Sequence, residues 1–97
     1  MNAFQVCLRD LGTSPCKLLV EVNEKDKSEL PIEDEDLCDA SRALAEFARQ
    51  ADLVTPPHDN VDVYIGWWGD QDTFEIPRAF FELIAKRGWR VTFDIND

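Results

Sequence analysis

A chain of 97 residues with 20 Asp and Glu, 10 Lys and Arg and one His carries a formal charge of −10; at this size it forms a single domain, residues 1–97, with one core and little depth for an enclosed pocket. Its 44% hydrophobic residues, including six Phe, three Trp and one Tyr, exclude a disordered acidic tail, in which apolar residues are scarce. The sign of the charge excludes a direct grip on nucleic acid or on an anionic membrane, both of which need clustered Lys and Arg, and favours basic partners.

Phe4, Val6 and Leu8 alternate with Gln5, Cys7 and Arg9, the period of two that marks a half-buried strand. Gly12-Thr13-Ser14-Pro15 supplies turn chemistry. Beyond it Leu18, Val20 and Val22 fall on one face and Leu19, Glu21 and Asn23 on the other, which predicts a hairpin with the first strand. Residues 21–39 carry nine carboxylates and two lysines, a local charge of −7. Within residues 33–51, Leu37, Ala40, Leu44, Phe47, Ala48 and Ala51 recur at steps of three and four, the apolar stripe of an amphipathic helix. Glu33, Asp34, Glu35 and Asp36 stand at its start, where each carboxylate contributes about 0.3–1 kcal/mol against the helix dipole. One or two would serve that purpose, so four in a row exceed what capping requires.

Pro56-Pro57 makes residues 54–60 a stiff connector. Val61, Val63, Ile65 and Trp67 alternate with Asp62, Tyr64, Gly66 and Trp68 in a third strand, closed by the turn residues Gly69-Asp70-Gln71-Asp72. Pro77 suits the first turn of a second helix with Phe80, Leu83 and Ile84 on its apolar face, and Lys86-Arg87-Gly88 has the basic last turn and glycine of a helix end. Trp89, Val91, Phe93 and Ile95 alternate in a last strand. The order ββαβαβ predicts an α+β two-layer sandwich, with two helices on one face of a four-stranded sheet that bury every one of these apolar sets. If the third and fourth strands are neighbours, the helix between them makes them parallel through a right-handed crossover, and the sheet is mixed.

Cys7, Cys16 and Cys38 are an odd set with no C-x-x-C spacing, which argues for reduced thiols over a disulfide framework or zinc site. With no signal-peptide pattern or membrane-length apolar run, a cytoplasmic location is expected. His58 lies in Pro-Pro-His-Asp-Asn and reads as a solvated loop residue beside Asp59, poorly framed for catalysis. Asp70, Asp72 and Glu75 form a D-x-D-x-x-E cluster that lacks the glycine and terminal glutamate of a calcium loop, so neither metal nor cofactor is expected. Trp67 and Trp68 must point to opposite faces. Trp67 joins the core register, whereas Trp68, beside Tyr64, reads either as cover for the open sheet face or as an interface anchor with Asp62, Asp70 and Asp72 around it. Residues 78–90 are net +3, so the acidity is one-sided.

The C-terminal third, from Val61-Asp-Val-Tyr-Ile-Gly-Trp through Phe74-Glu-Ile-Pro and Leu83-Ile-Ala to Phe93-Asp-Ile, resembles small bacterial domains of unknown function found among toxin-immunity proteins. In size and charge alone the chain is similar to phage-encoded anti-CRISPR and anti-restriction inhibitors. Neither likeness supplies functional residues. The reading that follows is a non-enzymatic inhibitor, monomeric or homodimeric, that binds the basic nucleic-acid-binding surface of a target by partial DNA mimicry. Glu33, Asp34, Glu35, Asp36, Asp70 and Asp72 would supply charge at a density comparable to duplex DNA, about one per 1.7 Å of axis, and Trp68 would anchor. The alternative is a small scaffold or oligomerising subunit that associates through its open sheet face.

Overall fold

The computed structural model describes residues 3–25, 40–69 and 74–96. Its elements are β1 (Ala3–Asp10), β2 (Lys17–Lys25), α1 (Ala40–Ala51), β3 (Val61–Trp68), α2 (Arg78–Arg87) and β4 (Arg90–Asn96). The sheet runs β2-β1-β3-β4, with β1 antiparallel to both neighbours and β3 parallel to β4. The mixed sheet follows from the connections: a short turn joins β1 to β2, and the α2 crossover joins β3 to β4. No helix among the described residues is long and apolar enough to cross a membrane.

The period-two alternation places Phe4, Val6 and Leu8 of β1 with Val63, Ile65 and Trp67 of β3 in one buried cluster. The helical stripe closes over it. α1 buries Ala40, Ala43, Leu44, Phe47, Ala48 and Ala51, and the Phe47 and Phe80 rings, 6.0 Å apart, join α1 to α2. Residues 33–39, where the stripe predicts that the helix begins, lie outside the described residues. Pro77 precedes α2 as its N-cap instead of occupying the first turn, and Gly88 ends α2 at φ 68°, donating its N–H to the Ile84 carbonyl at 2.8 Å. That left-handed geometry is the one a glycine adopts without strain from a Cβ.

Two expectations are corrected. A bulge in the β1–β2 pairing sets Leu8 against Val20 and Arg9 against Leu18, so the extra residue, Leu19, packs against the core while Leu18 turns out, 43% exposed. Strict alternation through β2 fails because a bulge inserts one residue and shifts the facing of those beyond it. Nor are all the apolar sets buried: Phe93 and Ile95 of β4 are 54% and 60% exposed. α1 packs over β1 and β2 and α2 packs against α1, so among the described residues the far half of the edge strand extends past the helical cover.

Candidate functional site

Strand register gathers the flanks of every strongly acidic segment at one end of the sheet. Lys25 pairs with Ala3, Ala3 with Trp68 and Trp68 with Asn96. Gly69 donates its N–H to the Asn96 carbonyl at 3.2 Å, and the Phe74 ring lies 5.3 Å from that of Phe4. The start of α1 is tied to the same end by Arg42, whose guanidinium meets the Glu24 carboxylate at 2.5 Å. The described residues that flank 26–39, 70–73 and 97 therefore lie at this end. The described residues contain ten Asp and Glu and nine Lys and Arg, so they carry −1 of the chain's −10. Glu33, Asp34, Glu35, Asp36, Asp70 and Asp72 lie outside the described residues. Lys17, Arg87 and Arg90 stand at or near the opposite end, where β2 and β4 begin and α2 ends.

Trp68 is the one predicted partner-binding residue that is described, and it sits at the end of the sheet that holds the flanks of residues 26–39 and 70–73, on the face away from the helices. Its ring folds back over Gly66: a Cβ there would come within 2.5 Å of Trp68 Cη2 and 2.9 Å of Tyr64 Cε2. Gly66 has no side chain because two aromatic rings occupy its space. Trp68 thus covers the sheet and still leaves 37% of its surface exposed, enough for contact with a partner.

The remainder of the open face is a polar lattice. Arg9 Nε and Nη2 donate to Asp62 Oδ1 and Oδ2 at 2.8 and 2.6 Å, Thr92 Oγ1 donates to Asp62 Oδ2 at 2.8 Å, and the guanidinium stacks 4.7 Å above the Tyr64 ring. The Asp62 side chain is 4% exposed. Burial alone would push its carboxyl up, but the Arg9 and Thr92 hydrogen bonds and the charges of Arg9 and Arg90 outweigh it and hold the group below its ordinary range. Single-sequence reading missed this lattice. Arg9 and Asp62 are 53 residues apart, and no local pattern brings them together; the only signal is that each holds an outward position on a strand.

Tyr64 donates its hydroxyl to Asp94 Oδ2 at 2.7 Å. Burial, then that hydrogen bond and the charge of Asp94, push its phenol up to about 12. It is the single tyrosine of the chain, so phenolate absorbance reports it alone. An alkaline titration is expected to show a midpoint near 12, moved toward the ordinary 10.0 in Asp94→Asn. Because the unfolded chain releases this proton first, the contribution to stability is complete below pH 10 and declines between 10 and 12. A wild-type midpoint near 10 would contradict the Tyr64–Asp94 geometry.

His58 does not stand free beside Asp59. Its Nε2 meets Asp10 Oδ1 at 2.9 Å, its Nδ1 accepts the Asn60 N–H at 3.0 Å, and Asp10 also accepts the Gly12 N–H at 2.9 Å. Asp10 is 4% exposed, and the His58 contact answers its buried oxygen; the imidazole braces two loops at the end of the sheet where β1 ends and β3 begins. Cys7 and Cys16 are free thiols, and Cys38 lies outside the described residues. Burial, then the nearby Glu21 charge, raise the Cys7 thiol to about 11, so it remains protonated at neutral pH. A groove of about 480 Å³ between α1 and α2 is lined by Ala48, Arg49, Asp52, Leu53, Glu82 and Lys86, with Lys86 and Asp52 already paired at 3.2 Å. Among the described residues no three of His, Cys, Asp and Glu are grouped to hold a metal. Comparison with known proteins finds no matching family model, curated protein or solved structure.

Proposed function

We propose that the chain is a non-enzymatic inhibitor that docks an acidic end on the basic, nucleic-acid-binding surface of a target protein, in the manner of anti-CRISPR proteins and of immunity proteins against nuclease toxins. One observation carries this reading: segments that hold all but one unit of the net negative charge are rooted at a single end of a rigid sheet, next to the partly exposed Trp68. Carboxylates concentrated in this way compete for a cleft built to hold phosphates. They also accelerate encounter with a cationic surface, up to about 10⁸–10⁹ M⁻¹s⁻¹ at low salt. Trp68 supplies the aromatic contact that charge alone lacks. The alternative, a scaffold that associates through its open sheet face, has less support because Arg9, Asp62, Tyr64 and Asp94 of that face are already partnered within the chain.

The test is an affinity capture from nuclease-treated native cell extract. The captured proteins are expected to be basic nucleic-acid binders, released by added salt and displaced by short duplex DNA. Once such a target is purified, reversal of Glu33, Asp34 and Asp36 to Lys should weaken its binding by about a hundredfold, about 2.8 kcal/mol. Retrieval of neutral or acidic proteins alone, held equally well at high salt, would overturn the proposal, as would unchanged affinity in the triple variant.

A further inference from the structure

The outer edge of β4 is unpaired among the described residues. β4 is an edge strand with neither proline nor bulge across Arg90–Asn96, whereas the opposite edge, β2, is broken by its bulge and carries Lys17, Glu21 and Glu24, the features that discourage strand addition. The Asn96 carbonyl accepts from Gly69 on the β3 side. Backbone groups alternate along a strand, so Arg90, Thr92, Asp94 and Asn96 turn theirs toward β3 and leave those of Val91, Phe93 and Ile95 on the unpaired edge. These same three residues place their side chains on the helix-covered face, where Phe93 and Ile95 are 54% and 60% exposed.

The geometry points to a homodimer in which β4 pairs antiparallel with β4 of a second copy about a two-fold axis at Thr92, extending the sheet to eight strands. Only outward-turned residues can exchange hydrogen bonds across the junction, and this register sets Val91 against Phe93 of the other copy in both directions. The closely approaching positions that exchange no hydrogen bonds are Thr92 opposite Thr92 on the axis and the Arg90–Asp94 positions just outside those pairs. There Arg90, which donates to Asn60 Oδ1 at 3.4 Å in its own chain, meets Asp94 of the other copy twice, and Asp94 accepts from it in addition to the Tyr64 hydroxyl, so the two charges on the open face of β4 are complementary to themselves. The apolar face matches as well: Val91 and Phe93 lie together, and Ile95 comes opposite Trp89. Moving the axis by one residue to Phe93 removes both Arg–Asp pairs, and moving it to Asp94 sets the two Asp94 carboxylates against each other. The antiparallel arrangement also sends the two acidic ends in opposite directions, which limits repulsion between two chains of −10 each.

Sedimentation equilibrium of the full chain near physiological salt is expected to show a dimer. Arg90→Glu and Asp94→Lys should each weaken association at least tenfold. An equimolar mixture of the two variants should recover the dimer, because the introduced carboxylate then faces the introduced ammonium while the native pair re-forms on the other side. Hydrogen exchange on the wild type gives an independent reading: the Val91 and Phe93 amides should exchange more slowly as protein concentration rises. A monomer at every concentration, a dimer indifferent to both substitutions, or exchange at these amides that does not vary with concentration would overturn the proposal.

Discussion

Phe47→Ala is expected to lower the unfolding free energy by about 3–5 kcal/mol, the range for removing a fully buried phenyl ring. Phe47 has no exposed surface and sits where α1, α2 and the sheet meet, its ring 6.0 Å from that of Phe80. The lost stabilisation includes the transfer of the ring from water and the cavity left among residues that cannot collapse into it, since α1 is held on both sides by α2 and β1. Domains of this size have about 5–15 kcal/mol in total, so the loss is a large fraction of the whole. Urea titration followed by tryptophan fluorescence should show a large fall in midpoint with little change in slope. Glu46→Ala, one residue earlier on the solvent face and paired only with Arg49 and Gln50, should leave the midpoint almost unmoved. A midpoint loss in Phe47→Ala no larger than in Glu46→Ala would mean that the helix does not pack as described.

Asp62→Ala should cost about 3 kcal/mol at neutral pH, the lower end of the range for breaking a buried ion pair. The lower end applies because the Arg9 side chain keeps 24% of its surface exposed and recovers part of its hydration, whereas Asp62 is 4% exposed. The substitution also removes the acceptor of the Thr92 hydroxyl. The effect has a pH signature. Asp62 is held below its ordinary 3.8 in the fold, so its contribution is present above that value and is lost as pH falls through the depressed folded value. Wild type and Asp62→Ala should therefore differ most near neutrality and converge in acid below about pH 4. Chemical denaturation across pH decides the matter: parallel curves down to pH 2 would show that the carboxylate is not stabilised by Arg9 and Thr92.

The Arg9–Asp62 lattice is distinct from the acidic stretches 26–39 and 70–73. The lattice joins β1, β3 and β4 across the open face through Arg9, Asp62 and Thr92, and it uses charge in matched pairs. Residues 26–39, 70–73 and 97 together hold ten Asp and Glu against a single cation, Lys27. Substitutions in the lattice should alter stability, and substitutions at residues 33–36 should alter binding; stability and affinity measured on the same variants separate the two.

What the sequence by itself determined is the set of elements and most of the core. Residues such as Phe4, Val6, Leu8, Leu44, Phe47, Val63 and Phe80 follow the periods of two and 3.6, because burial of one face is a local requirement written into the spacing of apolar side chains. The turn at Gly12–Pro15 and the glycine after α2 were legible for the same reason, since dihedral preference acts over short stretches of chain; that β3 and β4 run parallel was legible only on the condition that they are neighbours, which the sheet order decided. The concentration of charge in residues 21–39 was legible too. Only the tertiary structure decided that Arg9 meets Asp62, that His58 turns to Asp10 and away from Asp59, that a bulge moves Leu18 outward, and that Phe93 and Ile95 lie past the helical cover. Each depends on which strand lies beside which and in what register, and that is settled by the packing of residues tens of positions apart. The order β2-β1-β3-β4 likewise brings the flanks of residues 26–39 and 70–73 to one end of the sheet, so two acidic stretches distant in sequence join the fold at neighbouring points.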